Sequence, residues 1–303
     1  MVGASQAEKS LRGLGPRRGR AWWMLVPAAA VYVCFMIVPF VQTLWLSLHH
    51  TSELGLSEEW AGLEHYRRAL GDDTYRRALL NNAIYGGMTL VSEVGLGLWL
   101  AVLIFRCRRG QTLFRVAVAT PLLIALVAAA VLWQNLLGLE GPLNTALRAV
   151  GAEALTRDWR ASERIVYVMG VMSGWSYCGF YMLLFSAGLR RIGDEIREAA
   201  RLDGASGWRL FWYIERPLLR PILVVAVLLC LTGAFRAFDL FYVMVGSMPD
   251  AQAEVVATWI IKSAFRAKEF GFAAAMAAIT TLGLATASAI VYGLTTRARE
   301  SEL

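Results

Sequence analysis

Apolar residues in this chain gather into long runs separated by short charged segments. About 30 Å of hydrocarbon takes roughly 20 residues of helix to cross, and six of the runs are long enough. They predict an all-α integral membrane fold with six transmembrane helices, near Trp22–Leu48, Leu80–Phe105, Phe114–Leu137, Ile165–Leu189, Leu218–Tyr242 and Phe270–Leu294. Pro27 and Pro39 in the first run and Pro121 in the third are tolerated where neighbouring helices or water satisfy the freed carbonyls. The first run follows a basic segment, Lys9 to Arg20. It is too long for the apolar region of a secretory signal and no small-residue cleavage site follows, so a retained span is expected.

Composition agrees with lipid as the solvent. Of 303 residues 57% are hydrophobic and 17% charged, against about 25% charged in soluble domains, and the mean hydropathy is +0.49. The net charge of +7 could suggest nucleic acid, but the basic residues lie beside apolar runs and no recognition motif accompanies them, so nucleic acid is not expected as a partner. They report topology instead. The N-terminal tail carries Lys9, Arg12, Arg17, Arg18 and Arg20, and the loop after the second run Arg106, Arg108, Arg109 and Arg115. The loop after the fourth adds Arg190, Arg191, Arg197, Arg201, Arg209, Arg216 and Arg220. The first intervening loop is acidic, with Glu53, Glu58, Glu59, Glu64, Asp72 and Asp73. Both termini are therefore expected in the cytoplasm. The domain reading is a basic tail at 1–21, a transmembrane domain at 22–296 with a cytoplasmic loop at 190–220, and a short tail at 297–303. Cys34, Cys107, Cys178 and Cys230 form no C-x-x-C pair, and His49, His50 and His65 lack ligand spacing, so no metal site is expected.

The 190–220 loop has structure of its own. Asp194 and Glu195 sit where acids complement a helix N-terminus, and a helix through Ile196, Ala199 and Leu202 should stop at Gly204. Ser206 can cap a second short helix, Trp208 to Ile214, before Pro217 and Pro221 redirect the chain into the fifth span. Helices this short need tertiary docking. The alternative is an amphipathic lid on the membrane surface, which Trp208, Phe211 and Trp212 would suit.

Glu198-Ala199-Ala200, then three residues, Gly204, nine residues, Ile214 and Pro217 resemble the EAA loop of binding-protein-dependent ABC importer permeases. Asp203-Gly204-Ala205 and Pro217-Leu218-Leu219-Arg220-Pro221 look like the carbohydrate-uptake branch, the maltose and glycerol-phosphate type. The segment Trp60 to Tyr66, Phe114-Arg115 with Pro121, Phe238-Asp239 and Phe270 to Ala275 also fit. Three positions depart from the family pattern. Ile214-Glu215-Arg216-Pro217 carries a charge where leucine is usual, Gly193 replaces a proline, and Val245 to Pro249 replaces a T-G-G-G-P run.

The resemblance implies the type I ABC importer permease fold in a bacterial or archaeal inner membrane, importing a sugar, oligosaccharide or polyol. It also implies a non-catalytic subunit whose coupling residues would be Glu198, Ala199, Ala200, Asp203, Gly204, Ile214 and Pro217. Partners would be a second homologous permease, a dimer of cytoplasmic ATPase subunits, an extracytoplasmic solute-binding protein and membrane lipid. The sequence holds no G-x-x-x-x-G-K-[ST] loop, so ATP and Mg are expected on the separate ATPase.

Charges within apolar runs are expensive and normally face a cavity or a partner. Glu93 lies in the second run; Arg236 and Asp239 lie three residues apart in the fifth, close enough for an ion pair on one helix face. Two readings stand side by side. These groups satisfy each other and neighbouring helices, or they line a path with Trp175, Tyr177 and Tyr181, since sugars are held by aromatic faces and hydrogen-bonding groups. Gly170 and Gly174 form a small-x-x-x-small pair for close helix approach. A secondary transporter using Glu93, Arg236 and Asp239, or a membrane-embedded transferase, remains as the alternative; neither accounts for the 190–220 loop.

Overall fold

The computed structural model describes residues 18–51, 58–107, 109–161, 164–245 and 253–300. Lys9, Arg12, Arg17, Arg108, the segment 246–249 and the last three residues of the C-terminal tail lie outside them. Six stretches are long and apolar enough to cross a membrane: Leu25–Leu46, Asp73–Arg106, Leu126–Ala149, Ile165–Arg191, Gly207–Phe235 and Phe270–Gly293.

The first span comprises α1 (Arg18–Tyr32), a π-helical turn at Val33–Ile37 and α2 (Val38–Leu46). A short hairpin follows, β1 (His49–Thr51) against β2 (Glu58–Trp60), antiparallel with His49 opposite Trp60. The second span begins after α3 (Glu64–Gly71) and consists of α4 (Asp73–Thr89), a π-helical turn at Leu90–Gly95 and α5 (Leu96–Arg106). Asp72 caps α4 by accepting the Tyr75 backbone N–H at 2.6 Å.

The third span is not the single helix expected. It runs as α6 (Gln111–Ala119), a tight turn at Thr120–Leu123, two extended residues, and α7 (Leu126–Leu137), followed by α8 (Pro142–Ala149). Pro121 has no backbone N–H to continue the helix, which explains the break. The fourth span, α9 (Ile165–Arg191), is unbroken.

The loop contains α10 (Asp194–Leu202), ended by Gly204 at φ +84° as expected. The second helix differs from its expectation. α11 (Gly207–Leu210) passes through a π-helical turn at Phe211–Glu215 directly into α12 (Arg216–Phe235). Pro217 follows the π-helical turn and Pro221 lies within α12, and the helix continues through both, so neither redirects the chain. Ser206 precedes α11 without a side-chain cap. The fifth span then breaks at residues 236 and 237 before α13 (Phe238–Val245). Past α14 (Val256–Ile261) and a π-helical turn at Lys262–Arg266, the sixth span is α15 (Phe270–Glu300).

The bundle is built around α9. Of its most apolar window 61% is buried, against none of the first span's. Glycines let neighbours close on it. A Cβ at Gly170 would stand 2.7 Å from Met88 Cβ, and one at Gly174 2.5 Å from Ser92 Cβ, so the small pair packs on the second span. Gly179 lies against the Val118 carbonyl at the break in the third. On the side of the β-hairpin, Gly271 admits no side chain because the His49 carbonyl and the His65 ring stand over it. The Trp60–Tyr66 and Phe270–Ala275 segments, far apart in sequence, therefore meet. Arg68 adds a two-pronged pair with Glu269, at 3.0 and 2.9 Å, and covers the Phe272 ring.

Candidate functional site

Both helix breaks open onto the same space, a cavity of about 520 Å³ between the second to fifth spans. Broken backbone at membrane depth is tolerated where it lines a cavity, and here Leu122 and Leu126 flank one break while Arg236 and Ala237 form the other. From the second span, Tyr85, Thr89 and Glu93 line it, four residues apart on one helix face. From the fourth come Ser173, Tyr177 and Tyr181, with the same spacing.

Glu93 is 6% exposed, on the π-helical turn. Such a turn inserts one residue into the helix and re-aims those around it. The Ser173 hydroxyl donates to Glu93 Oε1 at 2.6 Å, and the Tyr85 hydroxyl donates to Ser173 Oγ at 3.0 Å. Cys230 lies against Glu93 from the fifth span. A carboxylate in an apolar bundle is thereby held by donors from neighbouring helices.

Arg236 and Asp239 do not form the ion pair expected of them. The helix ends between them: Arg236 closes α12 at φ −97° and ψ 4°, and Asp239 opens α13. Their side chains therefore no longer share a continuous helix face. Both are exposed, both line the cavity, and no ion pair joins them among the described residues. Trp175 is a second correction. Two residues along a helix turn the side chain by about 200°, so Trp175 points away from the face of Ser173 and Tyr177. It packs edge-on to Trp133 with ring centroids 6.0 Å apart, outside the cavity lining.

The second arrangement is the 190–220 loop. Glu198, Ala199, Asp203 and Gly204 face outward, and Leu202 stands out at 90% exposure. Ala200 faces inward; Ile214 is half-buried and Pro217 exposed. Arg197, expected only as one of the loop's basic residues, anchors the helix. It donates to Glu215 Oε1 at 3.0 Å and to the Leu189 and Ile192 carbonyls at 2.5 and 2.8 Å, pairs with Asp194 at 3.2 Å, and lies 4.7 Å over the Phe105 ring. Arg106 reaches the same Glu215 at 3.5 Å and the Gly207 carbonyl at 2.9 Å. The ends of the second, fourth and fifth spans are thus tied at one buried point. The charge at the unusual tetrapeptide was legible in sequence, but it is Glu215 that turns inward. Arg216 is exposed and covers the Trp212 ring at 4.9 Å.

No cluster of three or more His, Cys, Asp or Glu side chains is placed to hold a metal ion among the described residues.

Residues 93–300 match the family described as "Binding-protein-dependent transport system inner membrane component". The "Probable ABC transporter permease protein YurN" of Bacillus subtilis (strain 168) is 32% identical, over 85% of this chain and 89% of that one. The "Trehalose/maltose transport system permease protein MalF" of Thermococcus litoralis is 27% identical over 89% and 90%. In fold, the chain is similar to one in the crystal structure of a bacterial ABC transporter involved in the import of the acidic polysaccharide alginate. The TM-score is 0.79 at 19% identity, covering 96% of this chain and 99% of the other.

Proposed function

This chain belongs to the family of binding-protein-dependent transport system inner membrane components, and from that premise we propose that it forms half of an import path for a sugar, oligosaccharide or polyol. It is a multi-pass permease of the ABC transporter class. The observation that carries the substrate reading is the cavity. Phenols, hydroxyls, two carboxyl groups and a guanidinium converge there between two broken helices, the mixture that recognises a hydroxylated ligand. A trehalose/maltose permease among the relatives supports the same class.

In this reading both termini and the 190–220 loop face the cytoplasm. ATP and Mg are bound by a separate ATPase dimer; a second homologous permease completes the path, and an extracytoplasmic solute-binding protein delivers the substrate. The outward face of α10, with Glu198, Ala199, Asp203, Gly204 and the projecting Leu202, enters a socket on the ATPase. Ala200 turns inward behind that face, and Ile214 and Pro217 complete the coupling set further along the loop. Closure of the ATPase dimer pulls α10, and the Arg197 junction passes the pull to three spans together. The cavity then changes the side on which it opens, a rigid-body form of alternating access.

The test is uptake of a labelled disaccharide by vesicles containing the whole importer, with and without ATP. Uptake that needs ATP and is abolished by Glu198→Ala or Gly204→Asp, with the chain still inserted, supports the reading. Uptake driven by an ion gradient alone, or normal uptake by both variants, contradicts it.

A further inference from the structure

A groove of about 380 Å³ runs along α12 on the side away from the cavity, at the loop end of the fifth span. It is walled by Arg216, Arg220, Leu223, Val224 and Val227, with Val291 of the sixth span opposite. The α12 positions fall at i, i+4, i+7, i+8 and i+11, a single helix face. That face is charged at one end and apolar for the rest. Arg216 is exposed, and the acid beside it, Glu215, is buried and committed to Arg197 and Arg106. Trp208, Trp212 and Tyr213 are exposed around the charged end, as aromatic residues are at headgroup depth. From Arg216 to Val227 the helix rises about 16 Å at about 1.5 Å per residue, close to half of a hydrocarbon layer of about 30 Å.

We propose that this groove is a binding site for one anionic phospholipid, with its phosphate at Arg216 and an acyl chain along Leu223, Val224 and Val227 against Val291. Length, charge polarity and depth match one leaflet's worth of such a lipid, and basic pockets between membrane helices take anionic headgroups. A protein partner engaging the loop would meet α10, whose outward face is largely polar; the groove instead continues down the span among apolar side chains. The proposal requires a membrane around the chain and is independent of what the cavity transports.

The experiment uses the full chain in phosphatidylcholine nanodiscs carrying a trace of phosphatidylglycerol with a photoreactive acyl chain, with labelled peptides identified by mass spectrometry. Label is expected on residues 216–227 and 291 in excess over a phosphatidylcholine probe, falling about fivefold in Arg216→Gln, as loss of one arginine near an anionic headgroup implies. Val224→Trp, which fills the groove and keeps Arg216, should also lose the label, while Arg190→Gln should keep it. Melting midpoints near that of the unaltered chain keep the comparison valid. Equal labelling by both probes, labelling indifferent to Arg216→Gln and Val224→Trp, or displacement by soluble glycerol 3-phosphate would overturn the proposal. So would loss of the label when the other importer subunits are added, since a protein would then occupy the groove.

Discussion

The Arg197 guanidinium and the Glu215 carboxylate meet at 3.0 Å with both residues almost wholly buried, 4% and 3% exposed. Removing one partner leaves Glu215 with only Arg106 at 3.5 Å, or Arg197 with Asp194 and two carbonyls. That loss should approach the cost of a broken buried pair, about 3–5 kcal/mol, whereas removing both in favour of apolar side chains is far milder. Arg197→Met and Glu215→Leu alone should each lower the thermal midpoint of the detergent-solubilised chain markedly. The double variant should recover much of the loss. Additive losses in the double-mutant cycle would show that the two residues act separately.

Ser173 carries the donor that holds Glu93. Ser173→Ala removes that bond and leaves a buried carboxylate short of a donor, an expected loss of about 1–3 kcal/mol. Tyr85→Phe removes only the donor to Ser173, so its loss should be smaller. Chemical denaturation or thermal melts of the two variants rank them directly.

Close helix approach makes Gly179 the most demanding glycine of α9. An added Cβ there would meet the Val118 carbonyl oxygen at 2.5 Å and Ala119 Cα at 2.8 Å, backbone that cannot swing aside. Gly179→Ala should cost about 1–3 kcal/mol through overpacking. Gly87, near the end of α4 where the helix continues into its π-helical turn, has nothing within 4 Å and should accept alanine with a small gain in melting temperature.

The β1–β2 hairpin should respond to acid. His65 is buried against the His49 carbonyl, to which its Nε2–H donates at 3.2 Å. Burial, with help from His50 and Arg68, holds its pKa below the usual 6.5, outweighing the backbone bond and Glu64, which act in the opposite sense. The folded segment therefore binds fewer protons than the unfolded one below pH 6.5, and its stability falls as the pH drops from there toward the lowered folded pKa. Amide protection over residues 49–71, taken relative to the intrinsic exchange rate at each pH, should fall between pH 7.5 and 5.5, and His65→Gln should flatten that dependence. Protection indifferent to pH in the unaltered chain would count against this account.

Arg236 and Asp239 open to the cavity without pairing to each other. Asp239→Asn and Arg236→Gln should therefore reduce uptake with little change in melting temperature. A structural pair would show the reverse.

Most of the fold was legible because lipid imposes one demand, long apolar helices, that the sequence meets openly. Five of the six residues expected along a path, Glu93, Tyr177, Tyr181, Arg236 and Asp239, do line one cavity. Trp175 lies outside that lining, because aromatic character was followed without helical phase. The break between Arg236 and Asp239 was hidden because no proline marks it. Tyr85, Thr89 and Glu93 repeat every four residues, a polar stripe that helical periodicity alone could have found. Arg197 gave only the local signal of Asp194 three residues earlier, since its other partners lie at 189, 192 and 215 and only the folded loop gathers them.

The interrupted fifth span has a mechanical consequence. At one end, a single guanidinium clamps the helix to two neighbours. At the other, residues 236 and 237 leave the helical hydrogen-bond ladder. A rod fixed at its base and cut near its tip delivers displacement where it is cut. A pull arriving at α10 would thus be spent as rotation about Arg236–Ala237, carrying Asp239 across the cavity wall while the rest of α12 stays stiff.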